Sequence, residues 1–94
     1  MTPFLQSWYR AQCNGEWEHH YGITIETLDN PGWQVTIDLT STCLANRAMT
    51  EIRREFSTED WIVCEVDHNQ FKGAGDPSKL SAILESFQNW AKVE

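Results

Sequence analysis

Cationic side chains are scarce in this sequence. Seven lysines and arginines stand against fourteen aspartates and glutamates in 94 residues, a formal charge of −7. Nucleic acids and anionic membranes are held by cationic surface, so neither is expected as a partner. No apolar run approaches the ~20 residues that cross a bilayer, and no charged-then-apolar leader opens the chain. The expectation is a soluble, cytoplasmic protein. Cysteine is limited to Cys13, Cys43 and Cys64, an odd number with no Cys-x-x-Cys pair. That argues against a zinc knuckle or a thioredoxin-like site, and the three read as reduced thiols. Cys64 alternates with Ile62 and Val66, as a small core residue does.

What is present is a single globular domain, residues 1–94, since this length leaves no room for a second core. A 40% hydrophobic content with five tryptophans and four phenylalanines supports a packed interior rather than a disordered chain. The acidic excess favours a basic partner, which it would steer into contact. A net negative charge also keeps a small protein soluble, so charge alone does not decide.

The stretch from Trp17 to Trp33 carries the most information. Tyr21, Ile23, Ile25 and Thr27 alternate with other residues, then Asn30-Pro31-Gly32 breaks the chain, and Trp33, Val35, Ile37 and Leu39 resume the period. This is a β-hairpin pattern. For the isoleucines to share a face with Val35 and Ile37, opposed residue numbers must sum to an even value. A three-residue loop, 30–32, pairs Ile25 with Ile37. A five-residue loop, 28–32, pairs Ile25 with Val35 and Thr27 with Trp33, and it is preferred because Pro31 keeps Asn30 out of the α region. In either case Pro31 and Gly32 suit the centre of a type II turn.

Thr2-Pro3 reads as a helix opening, with Thr as cap and Pro at the first helical position. Phe4, Leu5 and Trp8 follow a helical period up to the stop at Asn14-Gly15. Residues 40–50 are open: Leu44, Ala48 and Met49 fit a helical turn, and Leu44, Ala48, Ile52 and Phe56 lie four apart. A strand over 51–56 is preferred, because Trp61 to Val66 makes a good partner across the polar loop 57–60. A turn at 67–69 and a short strand at 70–74 follow, where Gly73 and Gly75 imply a bulge or a close backbone approach. Asp76-Pro77 then opens a last helix in cap-then-proline order, with Leu80, Ile83, Leu84, Phe87, Trp90 and Ala91 as its stripe. The fold expected is α+β: a four- to five-stranded antiparallel sheet, the N-terminal and C-terminal helices packed on one face, the other face partly open.

Candidate chemistry is thin. Glu18, His19, His20 and His68 suggest a metal, but adjacent histidines in an extended segment point to opposite faces, so no metal and no cofactor is expected. No cysteine has a His and an orienting carboxylate at a telling spacing, so no catalytic site is expected either. Trp8 and Trp90 read as core, Trp33 and Trp61 as half-exposed at strand starts. Trp17, between Glu16 and Glu18, is expected to be partly exposed as an aromatic anchor with steering charges. Its packing across the end of the sheet stays open as the alternative. The contact surface nominated for a protein partner is Glu16, Trp17, Glu18, Asp29, Trp33, Asp38, Glu59 and Asp60.

Trp8-Tyr9, the run 13–19 (CNGEWEH), Tyr21-Gly22-Ile23, the run 27–33 (TLDNPGW) and Ile37-Asp38-Leu39 stand in an order that resembles one family of bacterial immunity proteins. It is the one catalogued as immunity protein family fifty-three, from polymorphic toxin systems. Asp60-Trp61-Ile62 and the run 71–74 (FKGA) extend the resemblance over nearly the whole chain. The resemblance implies a cytosolic protein that binds and neutralises a cognate toxin domain, with no catalytic motif to transfer. A homodimer is compatible with an open sheet face but is not expected. A general interaction module without a toxin partner is the competing reading.

Overall fold

A sheet that must bury one face and can leave the other wet needs all its helices on one side. The computed structural model, which describes residues 2–92, is built that way. Helix α1 (Thr2–Gln12) and the single turn α2 (Trp17–His20) precede strands β1 (Ile23–Leu28) and β2 (Gly32–Asp38). Strands β3 (Ile52–Ser57), β4 (Asp60–Asp67) and β5 (Gln70–Gly75) follow, and helix α3 (Leu80–Lys92) ends the fold. The five strands are antiparallel in the order β1-β2-β5-β4-β3. The capping role expected of the Thr2 side chain lies outside the described residues.

The register decides which side chains meet. Val35 and Cys64 both flank Gly73, Ile37 and Val66 flank Phe71, and Ile62 lies beside Gly75. This row of the central strands is the face on which α3 lies. A Cβ at Gly73 would run into Ile83 Cγ2, so the glycine sets how closely α3 approaches β5. Phe87 is the hub of the core. Its ring meets Phe71 of the sheet at 5.2 Å between centroids and Trp8 of α1 at 5.3 Å, both edge-to-face. Helix α1 packs on α3 rather than directly over the sheet centre.

The hairpin keeps the longer-loop register, with Ile25 opposite Val35 and Thr27 opposite Trp33. The turn chemistry differs from expectation. Leu28 still pairs with Gly32, the Asn30–Pro31 peptide is cis, and Gly32 is not in the left-handed region that the type II turn requires. Gly32 is needed for space instead, since a Cβ there would collide with the Gly75 carbonyl oxygen.

The strand preferred over 51–56 forms, shifted by one residue to 52–57, and no helix runs through Leu44, Ala48, Ile52 and Phe56. The connection before it is a series of turns with no helical turn at Ala48 and Met49. It is pinned where the Asn46 N–H donates to Asn69 Oδ1 at 2.7 Å and Leu44 sinks into the core. Helix α3 begins at Leu80 rather than directly after Asp76-Pro77: the Asp76 carboxylate accepts the Ser78 N–H in a turn that precedes the helix, and also reaches back to the Trp61 N–H. The β4–β5 hairpin turns on His68 and Asn69, both with positive φ, as a two-residue type I′ loop demands.

Cys64 has no exposed surface, and burial pushes its thiol up to about 11. Cys13 and Cys43 are exposed. A disulfide reagent at pH 8 should therefore titrate two thiols rapidly in the native protein and the third only on unfolding. Three fast thiols would contradict the burial of Cys64.

Candidate functional site

At one end of the sheet β1, β3 and β5 finish while β2 and β4 begin, and the chain there is unusually well tied. Asp76, just past β5, is 1% exposed and the sole buried charged residue among those described. Its Oδ2 accepts the Trp61 N–H at 2.8 Å and Lys79 Nζ at 2.8 Å, and its Oδ1 accepts the Ser78 N–H and hydroxyl at 2.8 and 2.6 Å. The Asp76 N–H in turn donates to the Trp61 carbonyl at 3.1 Å. One carboxylate thus joins β4, β5 and the turn into α3. Lys79 carries the network on to Asp60, also at 2.8 Å.

On this frame stands an exposed aromatic. Glu55 pairs with Trp61 and Ser57 with Asp60, so β3 has one residue more than β4 between these pairs, and that residue is Phe56. The bulge removes Phe56 from the alternation that would have placed it beside Ile52 and Arg54. It is 75% exposed, by far the most open large hydrophobic side chain described. With Asn30, Glu55, Ser57, Thr58 and Trp61 it lines a shallow hollow. Carboxylates surround it. Glu55 is held by Arg53 at 2.8 Å, which also binds Glu51 at 3.1 Å, and Asp60 is held by Lys79. Asp29 and Glu59 make no ion pair among the described residues. The sheet face beyond, away from the helices, is polar, with Gln34, Thr36, Lys72 and Glu65 half-exposed.

The eight nominated residues fall into two groups. Asp29, Trp33, Glu59 and Asp60 lie at this tip. Trp33 is half-buried there and donates its indole N–H to the Pro77 carbonyl at 3.0 Å. Glu16, Trp17, Glu18 and Asp38 belong to the opposite end, since Trp33 and Asp38 are five residues apart along β2, about 17 Å at strand rise.

Of the two readings of Trp17, an exposed anchor or packing across the end of the sheet, the structure has the second. It is 3% exposed, packs edge-on to Trp8 at 6.1 Å, and donates its indole N–H to the Thr40 carbonyl at 2.9 Å. The reason is local. Asn14 Oδ1 accepts the Glu16 and Trp17 N–H groups, which starts the turn α2 and rolls the indole inward. Glu18 is likewise structural: its two oxygens accept the Asn14 and Gly15 N–H groups at 2.9 Å each. Hydrogen bonds from its own amide and from those two hold its carboxyl below the usual range. Asp38 accepts the Gly22 N–H at 3.1 Å and the Gln70 amide at 2.8 Å. Glu16 is exposed. His19 and His20 lie on α2 rather than in an extended segment, and no group of three or more metal-ligating side chains forms among the described residues.

With the fold and this tip in view, comparison with known families is decisive. The family model described as Immunity protein 53 matches residues 2–92. The chain belongs to that family. No curated protein and no solved structure gives a match. The immunity-protein match runs from α1 to the last turn of α3, so both the Asp76 network and the Phe56 bulge lie inside it.

Two features of this immunity protein are hidden in its sequence. Alternation makes Phe56 look like a regular strand position. Asp76-Pro77 looks like a helix cap, although Asp-Pro-Ser is also the signal of a turn in which Asp accepts the N–H two residues on. Hydrogen bonds from Lys79 and then Ser78 hold the Asp76 carboxyl well below the usual carboxylate range. A depressed folded value means that its stabilisation is complete above the unfolded value, about pH 4, and is lost as the pH falls through that value towards the folded one. Asp76→Asn should therefore lower the urea midpoint at pH 7, and its gap from the parent should narrow by pH 3. A gap independent of pH would contradict the assignment.

Proposed function

We propose that this immunity protein neutralises a cognate toxin domain in the cytoplasm by stoichiometric, non-catalytic binding, and that the contact is made by the tip around Phe56. The exposure of Phe56 on a hydrogen-bonded bulge is the observation that carries the reading. A rigid aromatic with few rotamers loses little entropy on binding, and such residues dominate interface energetics when they fill a pocket. Asp29, Glu59 and Asp60 supply the rim, with Trp61 lining the hollow and Trp33 tied to the Pro77 carbonyl at the same end of the sheet. The rim and the net charge of −7 suit a toxin with a basic surface, as a nuclease has. Glu16, Trp17, Glu18 and Asp38 drop out as direct contacts in this reading, because three of them are used to build the far end of the fold.

Co-expression with a toxin domain from a neighbouring gene tests the function. Restored growth together with a one-to-one complex is expected; neither rescue nor complex would overturn it and would favour an interaction module with another role. Within that complex, Phe56→Ala should weaken binding by about 2 kcal/mol, roughly thirtyfold. Charge reversal at Asp29 and Glu59 should slow association and flatten its dependence on salt. Unchanged affinity in Phe56→Ala would remove the tip from the interface.

A further inference from the structure

The two outer strands of the sheet are finished differently. An unpaired edge invites another strand, and natural edges are blunted by bulges, charges, lysine or proline. β3 is blunted: in six residues it carries the bulge at Phe56 and the charges Arg53, Arg54 and Glu55. β1 is not. Its six residues, ITIETL, contain no proline and no lysine, pair with β2 without a register shift, and include one charge, Glu26.

The phase of the free edge follows from one hydrogen bond. The Asp38 N–H donates to the Gly22 carbonyl at 3.0 Å, so Gly22 and the residues two, four and six beyond it turn their backbone groups towards β2. Ile23, Ile25 and Thr27 turn theirs outward. The same margin is apolar. Tyr9, Tyr21 and Ile25 are three of the four exposed large hydrophobic side chains described, and Leu5, Tyr9, Tyr21 and Ile23 line a groove beside it.

We infer that β1 is the edge through which two copies of this chain pair, one protomer's β1 running antiparallel to its partner's to make a continuous ten-stranded sheet. The strand is complementary to itself. A twofold axis through Ile25 sets Ile25 against the partner's Ile25 and Ile23 against the partner's Thr27. These are the outward-turned residues, so each pair exchanges two backbone hydrogen bonds. All odd-numbered side chains then share the helix-covered side and cover one another across the seam. Glu26 falls opposite the partner's Thr24, a neutral hydroxyl, so no like charges are opposed. For two copies that each carry −7, contact must occur where charge is sparse, and β1 holds one of the fourteen acidic residues. β3 is at the other edge of the sheet, so pairing leaves both Phe56 tips free.

Sedimentation equilibrium of the whole chain up to ~1 mM should show a reversible monomer–dimer equilibrium that strengthens with salt as the net repulsion is screened. Ile25→Lys opposes two ammonium groups at the twofold axis and should weaken the dimer at least about tenfold, while Phe56→Ala leaves it unchanged. In the unmodified chain, amide exchange at Ile23, Ile25 and Thr27 should slow as concentration rises, a readout that needs no variant. A monomer throughout the range overturns the inference. So does a dimer indifferent to Ile25→Lys, or β1 amides that become protected only when the toxin domain is added.

Discussion

Everything at the proposed binding end depends on one buried carboxylate. A charge removed from water is tolerated only when it is fully hydrogen-bonded, and Asp76 accepts four donors. Three of these come from the turn that delivers α3 to the sheet, and the fourth is the backbone N–H of Trp61 at the start of β4. The same group therefore fixes where α3 sits on the core and holds the β3–β4 tip against the end of β5. Lys79 extends the tie to Asp60, so part of the acidic rim is fixed by the network that anchors the helix.

The core explains why the rest of the surface is available. Helix α3 sits close to β5 because Gly73 gives way to Ile83, and Phe87 then closes the space between Phe71 and Trp8. Both long helices are thereby committed to one face. Among the described residues no element covers the other face, which carries polar side chains, while its ends are capped by different devices. The far end is built inward, with Trp17, Glu18 and Asp38 spent on hydrogen bonds that hold that end together. The near end is built outward, with Phe56 exposed on a bulge. The asymmetry gives the molecule one end closed on itself and one that presents an exposed aromatic.

Much of this is written locally in the chain and was legible there. The parity of Ile23, Ile25, Val35 and Ile37 narrows the hairpin to two registers, Pro31 selects the longer loop between them, and the three-and-four spacing of Leu80, Ile83, Leu84, Phe87 and Trp90 fixes the inward face of α3. Alternation over 51–56 correctly prevails over the four-apart pattern that suggested a helix. What could not be read depends on contacts distant in sequence or on single insertions in a ladder. The bulge at Phe56 exists only relative to β4. Gly32 answers to the Gly75 carbonyl oxygen and not to the turn in which it was placed. Asp76 finds Trp61 fifteen residues earlier in the chain. The inward roll of Trp17 is intermediate: its cause, Asn14, is local, but its reward, the Thr40 carbonyl, is 23 residues away.

The tip around Phe56 as the surface that meets the toxin is tested most directly by amide hydrogen exchange on the toxin complex, compared with the free protein. Slowed exchange concentrated at residues 28–32 and 55–61, with α1 and α3 unchanged, is the result expected. Protection centred on the two helices or on the Trp17 end, with the tip exchanging as in the free protein, would contradict it.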